Sequence, residues 1–136
     1  MKAMVITSFG SSEVLEQRDA PKPEPGPHDL LVKIVATAAN PCDYQTRRGD
    51  YKDDVECPAI IGIDASGVVE AIDTDVAKFK PGDEVFYKME VLRDLIERGE
   101  IRPVVNCIIP LTQVGEAQLR QEQGGVQGKI VFDTSK

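Results

Sequence analysis

Between Tyr87 and Lys88 the hydrophobic pattern of this chain changes period, and that change limits what it can fold into. Upstream, apolar residues gather in short β-like runs separated by proline and glycine. Downstream, Val91, Leu92, Leu95 and Ile96 fall on one face of a helix, and Gly99 stands where such a helix ends. The join reads GDEVFYKMEVLRDLIERG, with no punctuating residue between strand and helix.

The upstream runs are distinct. KAMVIT (Lys2 to Thr7) reads as a strand closed by the turn Gly10-Ser11-Ser12, and VLEQRDA alternates weakly as a second strand. PKPEPGPHD (Pro21 to Asp29) holds four prolines in nine residues, which excludes helix and central strand. LLVKIVATAAN (Leu30 to Asn40) is the strongest strand signal. Asn-Pro then starts a turn, Asp43 to Arg48 wind one or two helical turns capped by Gly49, and Asp50 to Cys57 form a polar surface loop. AIIGIDASGVVEAID (Ala59 to Asp73) reads as a long strand in which Gly62 and Gly67 mark bulges or bends. FKPGDEVF reads as strand–turn–strand with Pro81-Gly82 at the corner.

Past the first downstream helix, VVNCIIPL is β-like. LTQVGEAQLRQEQGG reads as a helix from an N-cap at Thr112 to Gly124-Gly125, and GKIVFD is the last strand. This order predicts a mainly β fold with helices (α+β): a bent, partly open β-barrel with two packed helices.

Bulk properties narrow the functional classes. At 136 residues the chain is one domain by length, and 41% hydrophobic with 29% charged residues is ordinary for a soluble protein. The formal charge of −7 disfavours nucleic acid and anionic membrane as partners. No apolar run of about 18 residues occurs, so no membrane span is expected. The N-terminus is too short and strand-like for a signal peptide, which makes a cytoplasmic location the expectation. Cys42, Cys57 and Cys107 are far apart without a CxxC pair, against a disulfide framework or a zinc knuckle. His28, in the turn PGPHDL, reads as an exposed turn residue, and a single histidine leaves no base for a triad.

Phosphate and metal loops are also wanting. GGVQG (Gly124 to Gly128) follows a helix and precedes a strand, the reverse of a dinucleotide-binding loop, and no GxGxxG or GxxxxGK[ST] occurs. Asp50, Asp53, Asp54 and Glu56 lack the spacing and bend glycine of a calcium loop and read as a solvated acidic lip.

The informative pattern is composite: AANPCDYQTRRGDY, PAIIGIDASGVVEAID, FKPGDEVF, GEIRPVV, EA and GKIV, in that order. With these segments the chain resembles the catalytic, GroES-like domain of the medium-chain dehydrogenase/reductase superfamily. Its ANPxDxxxRxG, GxDxxGxV and PGDxV elements are similar to those of the zinc-independent, zeta-crystallin-like quinone oxidoreductases. Zinc-dependent relatives place cysteine and histidine where this chain has Asn40 and Ile63, so the resemblance implies no zinc.

The resemblance further implies hydride transfer from NADPH to a small-molecule quinone or enone. It puts Asn40 beside the nicotinamide as a hydrogen-bond donor; Cys42, two residues on, is a candidate for the cofactor side, with a small semi-buried filler as the plainer reading. Tyr51 matches a tyrosine at the substrate mouth; a second family tyrosine falls at Gln45, one residue after Tyr44. Asp43 and Asp64 match acidic positions of the two motifs, with Asp64 placed for buried hydrogen bonds under the site. Plain turn chemistry accounts for Asn40 and Asp43 equally well.

Relatives interrupt the barrel with a dinucleotide-binding domain and return with text like Leu92 to Val131. The resemblance therefore divides one GroES-like domain into residues 1–87 and 88–136, with a seam near 87–89 where the inserted domain is absent. Three readings follow: a catalytic domain cut from an oxidoreductase, a non-enzymatic binding domain for small molecules or a protein, and a half-enzyme needing a separate cofactor domain. No NADPH binding or turnover is expected of the chain alone. Barrel edges bared by the missing domain predict a homodimer or higher oligomer.

Overall fold

The computed structural model describes residues 1–87, 98, 102 and 104–135. The seam, most of the helix expected after Lys88 and its Gly99 end lie outside the described residues.

The chain opens with β1 (Lys2–Ile6) and β2 (Leu15–Asp19), an antiparallel pair joined by a 3-10 turn at Ser12–Val14. β1 buries Ala3, Val5 and Ile6, and among the described residues its only other ladder contact is a bridge from Ile6 to Ala59. The proline-rich run forms no regular element and delivers the chain to β3 (Leu30–Ala38), the centre of a five-stranded sheet. α1 (Pro41–Arg48), β4 (Ala65–Ile72), β5 (Glu84–Tyr87) and β6 (Val105–Pro110) follow, then α2 (Val114–Gln123) and β7 (Lys129–Asp133). The sheet order is β5-β4-β3-β7-β6. All pairs are antiparallel except β6 with β7, whose parallel pairing needs the crossover that α2 provides.

The two open sheets share a core under α2. Ala39, Val114, Ala117, Ile130 and Phe132 are buried together, with Met4 and Leu15 packed on them from the small sheet. Burying side chains such as Ile130 and Phe132 contributes about 2 kcal/mol each. Gly67 permits the closest approach within the sheet, because a Cβ there would lie 2.1 Å from the Lys33 carbonyl oxygen. The β3–β4 register shifts opposite it, between Ile34 and Ala36, so this glycine marks the expected bulge.

Several expectations need correction. The strand expected over 59–73 is regular only from Ala65, because the chain turns at Gly62 (φ 132°) and, among the described residues, the ladder before it is a single bridge from Ala59 to Ile6. In FKPGDEVF only the second arm is a strand; Phe79 and Lys80 approach a turn closed by Asp83, whose carboxylate accepts from Lys80 N–H at 3.0 Å. Thr112 is not an N-cap: it lies inside a 3-10 turn, Leu111–Gln113, that runs directly into α2. Of the two helices expected downstream, the second is α2, and it packs against α1.

Candidate functional site

α1 begins where β3 ends, and its first turn is built by the sequence Asn-Pro-Cys-Asp. Pro41 fits the first helical position, since its missing N–H would have no helical partner. Asp43 reaches back, accepting the Asn40 backbone N–H on Oδ2 at 2.8 Å. At the far end Gly49 closes the helix in the left-handed conformation.

The antiparallel order of the sheet decides what surrounds this turn. Ala36 on β3 pairs with Ser66 near the start of β4, and Ala38 pairs with Val131 near the start of β7. The end of β3 therefore meets the beginnings of both neighbours, which brings Asn40, Asp64 and Lys129 together from distant parts of the sequence. Lys129 Nζ donates to Asn40 Oδ1 and, at 2.9 Å, to Asp64 Oδ2. Thr37 Oγ1 fixes the Asp64 backbone by donating to its carbonyl at 2.5 Å. Gly128 sets the start of β7: its φ is 87°, and a Cβ there would lie 2.5 Å from the Val104 carbonyl oxygen.

Burial varies across this group. Asn40 and Asp43 are buried, Asp64 is 31% exposed and Lys129 46% exposed, so the ion pair faces solvent on one side. Asp64 thus forms a half-open ion pair rather than the buried hydrogen bonds expected of it. Burial pushes the Asp43 carboxyl above the ordinary aspartate range, and nearby Asp64 adds to this. The Asn40 N–H, the Cys42 thiol and Lys129 pull it back. The Cys42 thiol, 3.7 Å from Asp43 Oδ1, has its pKa raised by burial and then by that carboxylate, which favours the thiol over the thiolate.

The structure brings together Asn40, Cys42, Asp43 and Asp64, and adds Lys129. Tyr44 and Tyr51 stand apart and share no hydrogen bond with this group among the described residues. Tyr44 lies under the Arg48 guanidinium, 5.2 Å from its ring centre. Tyr51 is exposed, and its hydroxyl meets Gln45 Oε1 at 3.4 Å, linking the two motif positions noted for tyrosine. Lys129 carried no assigned role in the sequence. Its only signal was membership of GKIV, and a lysine opening a strand is ordinarily a solvated residue.

Arg47, the arginine of ANPxDxxxRxG, was also without a role and is now explained. Its guanidinium is 1% exposed and donates to Gln118 Oε1 at 2.6 Å, to the Gly10 carbonyl at 2.5 Å and to Glu122 on α2. It locks α1 to α2 and to the loop after β1.

Neither helix of the described residues presents an open N-terminus to a pyrophosphate. α1 is closed by Pro41 and by the Asp43 carboxylate, and α2 continues from a 3-10 turn. The described residues therefore offer no open helix N-terminus to the phosphates of a dinucleotide. A zinc ion fits no better. The Lys129 ammonium held against Asn40 and Asp64 opposes a dication there. A cavity beside Asp43, lined by Met4, Leu15, Leu111 and Phe132, has a volume of about 40 Å³. That is smaller than a small-molecule site needs.

Comparison with known proteins identifies the family. The profile of the alcohol dehydrogenase GroES-like domain matches residues 26–131. The quinone oxidoreductase of Lama guanicoe is 39% identical over 87 residues, which are 63% of this chain and 26% of that protein. A zinc-type alcohol dehydrogenase-like protein of Staphylococcus aureus is 44% identical over 75 residues, 55% of this chain and 21% of that protein. The Escherichia coli quinone oxidoreductase, solved in complex with NADPH, superposes with a TM-score of 0.61 at 26% identity, over 64% of this chain and 26% of that one. The match thus spans about a quarter of the length of these relatives. No helix among the described residues is long and apolar enough to cross a membrane. The chain belongs to the alcohol dehydrogenase GroES-like domain family, within the quinone oxidoreductase-like part of the medium-chain dehydrogenase/reductase superfamily.

Proposed function

We propose that this chain is the substrate-side domain of an NADPH-dependent oxidoreductase acting on a quinone or an activated enone, and that it is inactive by itself. One observation carries the reading: the Asn40 amide is buried and held by its oxygen against Lys129, which leaves one Nδ2–H without a partner among the described residues. Hydride addition to a conjugated carbonyl places negative charge on its oxygen, and a fixed donor at that oxygen lowers the barrier. Asn40 is the donor in this reading. Asp43 fixes the turn that carries it, Asp64 anchors Lys129, Cys42 lines the nicotinamide side, and Tyr44 and Tyr51 border the mouth. NADPH would supply the hydride, its phosphates held by a nucleotide-binding domain outside this chain. Similarity to quinone oxidoreductases, one of them solved with NADPH, supports the assignment.

Residues 1–87 and 88–136 are read as two parts of one domain, with the point of insertion near 87–89. The pairing of β7 with β3, which brings Lys129 to Asn40, favours this division. Titration with NADPH, followed by fluorescence or calorimetry, is expected to give no saturable signal; micromolar binding would contradict the reading.

Self-association belongs to the same proposal. Among the described residues β5 and β6 are the edge strands of the sheet, and Phe86, Val105 and Ile108 on them are exposed. Sedimentation at high concentration is expected to show a dimer or larger species, and a clean monomer would argue against it.

A further inference from the structure

The contact between Lys129 and Asn40 has a direction. An ammonium donates and cannot accept, so the amide atom facing it is the oxygen. The NH2 end is thereby turned away from Lys129. One of its N–H groups reaches the Ala38 carbonyl at 3.4 Å, and the other has no partner among the described residues. An asparagine amide is nearly symmetrical in shape, so only its neighbours distinguish oxygen from nitrogen. The Ala38 contact is too long to enforce the choice. Lys129 enforces it, and Lys129 is itself held by Asp64 and by the constrained start of β7 at Gly128.

We propose that Lys129 is a positioning residue, fixing the Asn40 amide so that its nitrogen, not its oxygen, meets the carbonyl oxygen of the acceptor. This rests on the reading of Asn40 as the acceptor's hydrogen-bond donor. A flipped amide would set oxygen against oxygen and lose both the hydrogen bond and its transition-state strengthening. The return segment of the chain would then supply orientation to a site whose donor lies in the first segment.

The test uses the 136-residue chain labelled with 15N, with cyclohexanone as the carbonyl probe because a saturated ketone cannot alkylate Cys42. The Asn40 side-chain amide is followed in the wild type, Lys129→Met and Lys129→Arg. In the wild type the two Nδ2–H signals are expected to be well separated, with one shifting as ketone is added. Lys129→Met is expected to bring both signals towards the positions of a free asparagine amide and weaken the ketone effect about tenfold or more. Lys129→Arg, whose guanidinium also only donates, is expected to restore both. Should Lys129→Met unfold the chain, Asp64→Asn leaves β7 intact and is expected to change the amide signals in the same direction. Unchanged amide signals in these variants would overturn the proposal. If the amide signals change as expected but cyclohexanone moves Asn40 in none of the proteins, the orientation stands and the acceptor role of Asn40 is what fails.

Discussion

The two ends of α1 come from one short motif and have opposite surroundings. At the C-terminal end Arg47 is enclosed, its guanidinium shared among Gln118, Glu122 and the Gly10 carbonyl. At the N-terminal end Asn40 is buried but meets a half-exposed ion pair, and one amide N–H remains unpaired among the described residues. A buried charge whose three nitrogens are all bonded within the protein, and which is 1% exposed, specifies packing and is closed to a ligand. A polar group held on one side and open on the other has both orientation and spare capacity. The difference separates scaffold from site within eight residues of helix.

The largest expected effect comes from breaking the enclosed end. Arg47→Met removes the guanidinium and leaves Glu122 and buried Gln118 without their partner, at a cost of about 3–5 kcal/mol. Urea unfolding followed by circular dichroism would check this. A loss near zero would mean that the network is not a structural lock.

A smaller effect sharpens the open end. Asp43 has a folded pKa raised above its unfolded value, chiefly by burial, so the folded state binds the proton more tightly. Stability therefore falls as pH rises from the ordinary aspartate range through Asp43's raised value. Asp43→Asn keeps an acceptor for the Asn40 N–H and removes the charge, and is expected to flatten that slope. Thermal unfolding of both proteins across mildly acidic pH measures it, and an unchanged slope would contradict the assignment. Asp19 has the opposite sign: the Lys2 ammonium lowers its pKa, so its contribution is lost as pH falls, and full exposure makes it slight.

Much of this arrangement was legible in the sequence, and the illegible part has a physical cause. Asn-Pro, Asp43 and Gly49 announce the boundaries of α1 because capping is local chemistry, acting over three or four residues. β3, β6 and β7 follow from apolar runs for the same reason. The strand expected from Ala59 failed because a strand needs a backbone partner, and among the described residues the ladder of 59–64 is a single bridge from Ala59 to Ile6. Thr112 failed as a cap because the preceding turn was already helical. Arg47 and Lys129 escaped notice because their meaning lies 71 and 89 residues away in sequence, across contacts fixed only by sheet order and helix packing.

The most direct test of the division within α1 is a ketone titration of the 15N-labelled chain, read at every backbone amide. The account predicts that cyclohexanone shifts the signals of Asn40, Asp64 and Lys129 and leaves those of Arg47, Gln118 and Gly10 in place. Shifts centred on Arg47 and α2, with Asn40 and Lys129 unmoved, would contradict it.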